Sequence, residues 1–115
     1  MEFDDYQKQA ITTDLFSKSK KTELFSIAFL EKLLGLTGEA GELADKIKKI
    51  LRDKGGKLTK QDKAEIVKEL GDILWYVSAL AYYLDVPLQE VADSNLKKLR
   101  SRKNRGVLRG RGDNR

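Results

Sequence analysis

The sequence predicts an all-α protein, four-helix-bundle-like, organised around a central antiparallel helical hairpin. Long stretches repeat apolar residues at spacings of three and four, the period of one helix face. Among 115 residues there is one proline, with 36% charged and 40% hydrophobic residues, a balance that suits helices with solvated outer faces. Gly55-Gly56 separates the two most regular stretches, where a helix ends and the chain reverses. At this length one domain is expected, near the size where oligomerisation often adds burial. Residues 1–105 read as a single helical domain and 106–115 as a basic, glycine-rich tail.

The elements follow in order. A short first helix is expected over residues 3–17, with Asp4 or Asp5 near its start. The polar run Ser17-Lys18-Ser19-Lys20-Lys21 reads as a loop. A second helix is expected from about Thr22 to Arg52, with Leu36, Ala40, Leu43, Ala44, Ile47, Ile50 and Leu51 on one stripe. Its start is apolar nearly all round (Leu24, Phe25, Ile27, Ala28, Phe29, Leu30, Leu33, Leu34), which points to a subunit interface. Gly35, Gly38 and Gly41 interrupt it at about 1 kcal/mol each relative to alanine, so a kink is expected near 35–38. Thr59 should cap a third helix, with Asp62 favouring its dipole. That helix runs to about Leu84 on a stripe of Ile66, Leu70, Ile73, Leu74, Val77, Leu80 and Ala81. Pro87 suits the first turn of a fourth helix, with Leu88, Val91, Ala92, Asn95, Leu96 and Leu99 facing inward. Trp75 lies opposite the third stripe and is expected in an interface. The tail should be extended unless something holds it.

Composition excludes several chemistries. No cysteine means no disulfide framework and no thiolate chemistry. No histidine removes the commonest general base and the usual zinc or iron ligand. A metal here would be held by oxygen, which favours magnesium, manganese or calcium. No signal peptide or membrane-length apolar run stands out, so the expected location is the cytoplasm. The net charge of +5 is uneven. Residues 97–115 hold nine Lys/Arg against Asp113 alone, and residues 1–96 hold fourteen Lys/Arg against seventeen acids. The basic tail would attract phosphate of any kind.

The candidate site lies on the hairpin. Glu39 and Glu42 precede the Gly55-Gly56 turn by the same distances at which Asp72 and Glu69 follow it. Folding the hairpin brings Glu39 level with Asp72 and Glu42 level with Glu69, about 20 Å from the turn at ~1.5 Å rise per residue. Both pairs flank the apolar stripe of their own helix, and each contains a glycine. Acid pairs at this spacing are usually solvated faces, and Lys46 could simply pair with Glu42. Four carboxylates at one level repel, by about 1 kcal/mol per pair at 4 Å even in water, and a divalent cation removes that cost. The pattern alone does not separate a catalytic metal from a structural one.

The run Gly-Leu-Thr-Gly-Glu-Ala-Gly-Glu-Leu at 35–43, followed by Glu-Leu-Gly-Asp-Ile-Leu-Trp-Tyr at 69–76, resembles the MazG-type nucleotide pyrophosphohydrolases, whose signature is ExxE followed by ExxD. Tyr6-Gln7, Asn95 to Arg102 and the Gly110-Arg-Gly-Asp-Asn-Arg115 end agree with it. The resemblance implies an all-α, magnesium-dependent homo-oligomer, dimer or tetramer, that cleaves nucleoside triphosphates to monophosphate and pyrophosphate.

By that resemblance Glu39, Glu42, Glu69 and Asp72 hold Mg²⁺, with Mn²⁺ as the alternative ion, and Glu39 or Glu42 takes the proton of the attacking water. Lys98 and Arg102 would bind phosphates and Asn95 the sugar or base, with Lys46 and Tyr76 as further substrate contacts. Two other readings stand beside it: a nucleic-acid-binding helical module that uses the basic tail, and a non-catalytic helical oligomer with a structural metal. Neither a membrane nor nucleic acid is the expected partner.

Overall fold

A computed structural model of the chain describes residues 1–15 and 27–115. Helix α1 spans Phe3–Ala10 and passes into a single 3₁₀ turn, Ile11–Thr13. Helices α2 (Ile27–Lys54), α3 (Lys60–Tyr83) and α4 (Leu88–Asn104) follow. No strand occurs among the described residues, so the all-α expectation holds. None of these helices is long and apolar enough to cross a membrane.

The first helix is shorter than the sequence suggested. The hydroxyls of Thr12 and Thr13 donate to the carbonyls of Gln9 and Ala10 at 2.6 and 2.7 Å. Such side-chain bonds offer the backbone an alternative to the helical ladder, and Asp14 leaves it in an extended conformation. The expected basic loop at 17–21 and the helix start at Thr22 fall outside the described residues. Helix α2 runs through Gly35, Gly38 and Gly41 without a break, its packing on α3 outweighing three weak helix formers.

The hairpin turn forms where the glycines place it. Gly55 and Gly56 adopt positive φ values of 60° and 85°, and the Gly56 N–H reaches back to the Ile50 carbonyl at 3.2 Å. Thr59 then caps α3: its hydroxyl accepts from the Asp62 N–H at 3.1 Å, and the Asp62 carboxylate accepts from the Thr59 N–H at 3.0 Å. Such a reciprocal cap is worth about 1 kcal/mol. Lys54 joins Asp62 at 2.8 Å and ties the two helix ends together.

Helix α4 has Pro87 at its N-cap and no acceptor of its own there. Helix α1 supplies it. The Leu88 N–H donates to the Gln7 side-chain oxygen, and the Gln89 N–H to Asp4, both at 3.0 Å. The Gln7 amide also donates to the Val86 carbonyl at 3.0 Å and the Ser78 carbonyl at 3.3 Å. One buried glutamine therefore joins α1 to the end of α3 and the start of α4.

Among the described elements α2 packs on α3 alone, whereas α1 touches both α3 and α4. The result is open. The radius of gyration is 17.0 Å, against roughly 13 Å for a compact domain of this length. The buried hydrophobic residues, among those described, are Ala28, Ala79, Ala81, Tyr83 and Leu88. Leu30, Leu33 and Leu34 of α2 and Val91, Leu96 and Leu99 of α4 stay exposed.

The tail is folded, not extended. Gly106 turns at positive φ, and the Val107 N–H bonds the Arg102 carbonyl at 2.9 Å. The Arg115 side chain then donates to the carbonyls of Val107 and Leu108 at 3.0 and 3.1 Å. It passes over Gly110, where a Cβ would lie 2.3 Å from Arg115 Cδ.

Candidate metal centre

The hairpin brings three acids together. Glu39 from α2 and Glu69 and Asp72 from α3 each offer a carboxylate oxygen within 4.8 Å of the others. Glu42 is one turn further along α2 and exposed; its charge is felt at Glu39, but its oxygens lie outside that trio. The level relation between the helices was therefore readable from the turn, while side-chain direction sorted the four acids into three and one.

The trio is under electrostatic tension. Glu39 Oε2 and Glu69 Oε2 are buried without a hydrogen-bond partner, an arrangement that costs free energy unless something positive meets them. Desolvation holds the Glu39 carboxyl above its ordinary proton affinity, helped by the adjoining Glu69 carboxyl and by the charges of Glu42 and Asp72. Glu69 moves the other way. Lys46 Nζ sits 2.8 Å from Glu69 Oε1 and 3.4 Å from Glu65 Oε2, and that ammonium keeps Glu69 ionised against its burial. Two orphaned buried carboxylate oxygens in an all-oxygen donor set fit a hard divalent cation.

Beside the trio is a depression of about 320 Å³ lined by Glu39, Asp72, Trp75 and Tyr76. Tyr76 is seated against α2 at Gly35, where a Cβ would overlap its ring. Burial, with the charges of Glu31 and Glu39, raises its hydroxyl above the usual phenol range. Trp75 meets the Tyr76 ring edge-on at 5.0 Å between centroids. Its indole N–H donates to Thr13 Oγ1 at 2.9 Å and the Ala10 carbonyl at 3.2 Å. Trp75, expected in an interface, is half-buried against the amino-terminal segment of its own chain.

Two features had no sequence signal beyond residue type. Lys32 is buried and pairs with Asp14 at 2.9 Å and with Glu31. Tyr83 donates its hydroxyl to the same Asp14. Burial pulls the Lys32 ammonium down, but the bonds to Glu31 and Asp14 outweigh it and the net shift is upward. This network lies under the depression, with Lys32 Nζ 5.9 Å from the Trp75 ring centre. Burial and then the Asp72 charge raise the proton affinity of Tyr6 on α1, which places it near the trio.

The α4 residues stand apart. Asn95 and Lys98 line a separate groove of about 430 Å³ with Val86, Glu90, Val91 and Ser94. Asn95 is exposed and not within a buried stripe, because α4 leaves the bundle with one face uncovered. Arg102 is 5% exposed and carries the tail, donating to the Asp113 carbonyl at 2.7 Å. The Asp113 carboxylate lies 3.7 Å from Arg102 and 3.8 Å from Lys98. The single chain thus brings together Glu39, Glu69, Asp72, Lys46 and Tyr76, leaves Asn95 and Lys98 on another surface, and buries Arg102 against the tail.

Comparison with known proteins agrees with this geometry. A family model described as the MazG nucleotide pyrophosphohydrolase domain matches residues 28–107, which contain all four acids and the whole of α4. The chain is 57% identical over 82 residues to the gene 37 protein of Mycobacterium phage L5, covering 71% of this chain and 72% of the phage protein. It is 36% identical over 73 residues to the uncharacterized protein YpjD of Bacillus subtilis (strain 168), covering 64% and 65% of the two chains. No solved structure matches it. The acid trio, its orphaned oxygens and the matched domain converge, and the chain belongs to the MazG nucleotide pyrophosphohydrolase domain family.

Proposed function

We propose that the protein hydrolyses nucleoside triphosphates, non-canonical or deoxy ones among them, to monophosphate and pyrophosphate in a magnesium-dependent reaction, with manganese as the alternative ion. The observation that carries this reading is the pair of buried, unpartnered oxygens on Glu39 and Glu69 beside a depression lined by Tyr76. Glu39, Glu69 and Asp72 would hold the ion, and Glu42, expected as a fourth ligand, would stay outside that set. A divalent cation bound there supplies charge neutralisation at the phosphoryl oxygens and a more acidic water.

The chain's own groups do the rest. Glu42, exposed and outside the trio, is the carboxylate free to accept a proton from the attacking water, while Glu39 is engaged with Glu69. Water attack at the α-phosphorus then breaks the bond to the bridging oxygen and releases pyrophosphate. Tyr76 offers a hydroxyl and a ring face to the nucleoside. Lys46 balances the charge of the acids.

The same reading makes the protein a homo-oligomer. The 17.0 Å radius of gyration and the bare apolar faces of α2 and α4 support burial against a second copy. Asn95 and Lys98, remote from the acids of their own chain, would then serve the site of another copy. A nucleic-acid role has less support: Arg102, Arg105 and Arg115 spend hydrogen bonds on the chain's own carbonyls.

The test is a panel of ribo- and deoxynucleoside triphosphates with Mg²⁺, assayed for pyrophosphate and monophosphate. Stoichiometric release of both, lost in Glu69→Gln, is the expected result. Intact protein that turns over none of them, or releases single phosphate, overturns the reading.

A further inference from the structure

Glu69 presents two unequal oxygens. Oε1 is taken by Lys46 Nζ at 2.8 Å, and Oε2 is buried and unpartnered. The lysine is itself held from a second side by Glu65 at 3.4 Å. It reaches across the hairpin from α2, two helical turns beyond Glu39. Glu69 is 6% exposed, so its carboxylate has little room to turn while the ammonium holds Oε1.

This asymmetry matters because hard cations differ in what they ask of a carboxylate. Ca²⁺ takes about 6–8 oxygens and commonly uses both oxygens of one carboxylate, whereas Mg²⁺ keeps a tight octahedron of about six single oxygens. A carboxylate with one oxygen tied to an ammonium can give one ligand atom and not two. Resting on the metal-dependent reading above, we propose that Lys46 is a positioning residue that confines Glu69 to single-oxygen ligation and thereby sets the preference of the site for Mg²⁺ or Mn²⁺ over Ca²⁺.

Simple charge makes a different forecast. An ammonium beside the trio weakens every divalent ion to a similar degree, so removing it would tighten all of them together. Ligand confinement predicts a change in the ratio. Lys46 is more than one-third exposed at its side chain, so its substitution does not open a core cavity.

The test measures binding without nucleotide. Mn²⁺ bound to the full chain is followed by electron paramagnetic resonance, with Mg²⁺ and Ca²⁺ as competitors, in wild type, Lys46→Met and Lys46→Arg. In Lys46→Met the Ca²⁺-to-Mg²⁺ preference should move toward Ca²⁺ by about tenfold, the lower end of what loss of a ligand's hydrogen-bond partner does to metal sites. Lys46→Arg, which restores a donor at Glu69 Oε1, should keep the wild-type ratio. Equal tightening of both ions in Lys46→Met, or no bound Mn²⁺ in wild type, overturns the proposal. A shifted ratio in a protein that releases no pyrophosphate would overturn the proposed reaction and leave this assignment standing.

Discussion

The ring of Tyr76 occupies the space that a side chain at Gly35 would need: a Cβ there would lie 2.2 Å from Cε1 of the tyrosine. Two helices meet at this point one turn from the acid trio, and the missing side chain on α2 lets an aromatic residue of α3 line the depression. Gly35→Ala should therefore displace Tyr76. The gain in helix propensity, about 1 kcal/mol, is smaller than the cost of forcing a ring out of a packed contact, about 1–3 kcal/mol. The expected outcome is a lower melting temperature and a loss of pyrophosphate release, with Tyr76→Phe keeping the stability. A Gly35→Ala protein as stable and active as wild type would remove Tyr76 from the site.

Gly38 and Gly41 make the opposite forecast for an isolated chain. A Cβ at either meets nothing within 4 Å, so alanine should add about 0.5–1 kcal/mol by the helix preference alone. If the bare face of α2 is covered in solution, these alanines will instead weaken self-association. Melting temperature against protein concentration, together with sedimentation, reads both outcomes.

Metal-free stability should depend on pH through two neighbours with opposite signs. Glu39 is held above its unfolded-state value by desolvation, the Glu69 contact and nearby negative charge, so its contribution favours folding at low pH and is lost as pH rises through the raised value. Glu69 is held below its unfolded value chiefly by Lys46, so its contribution is present above about 4.3 and is lost as pH falls through the lowered value. In chelator, Glu39→Gln should gain on wild type as pH rises toward neutrality, and Glu69→Gln should lose. Thermal melts of the three proteins across the acidic to neutral range check both signs.

Divalent cation should stabilise the wild type and not the Glu69→Gln, Asp72→Asn double variant. An ion at a hundred times its dissociation constant adds about 2.7 kcal/mol through mass action. A melting shift with Mg²⁺ that survives the double substitution would place the ion elsewhere.

Arg102 and Asp113 should behave unequally although they touch. The short bond from Arg102 goes to the Asp113 carbonyl, not its carboxylate, and the Asp113 side chain is 90% exposed. Arg102→Ala therefore removes a buried charged donor and orphans a carbonyl, at about 1–3 kcal/mol. Asp113→Ala keeps the carbonyl and should cost well under 1 kcal/mol, as exposed ion pairs do. Chemical denaturation of the two variants separates the cases.

The hairpin and its acids were legible in the sequence because they depend on local rules. Glycines at the turn, Thr59 at a cap and the heptad-like stripes fix the levels of Glu39, Glu69 and Asp72 without knowledge of any distant contact. Glu42 lies exposed and outside the trio, because being level across the hairpin does not by itself bring a side chain to the seam between the helices. Asn95 was misplaced because a stripe on a wheel does not say whether a neighbour covers it. Gln7, Lys32 and the folded tail left no periodic trace, since each depends on partners far along the chain or on carbonyls that every residue carries.

The borrowed cap of α4 carries a consequence for the order of assembly. Its first two free N–H groups are satisfied by Gln7 and Asp4, 81 and 85 residues away. A helix whose nucleus is completed from the opposite end of the sequence gains that help only after the longest loop in the molecule has closed, which slows formation. The hairpin, by contrast, needs only its own turn. Residues 88–104 should accordingly acquire hydrogen-exchange protection after the hairpin, and together with α1.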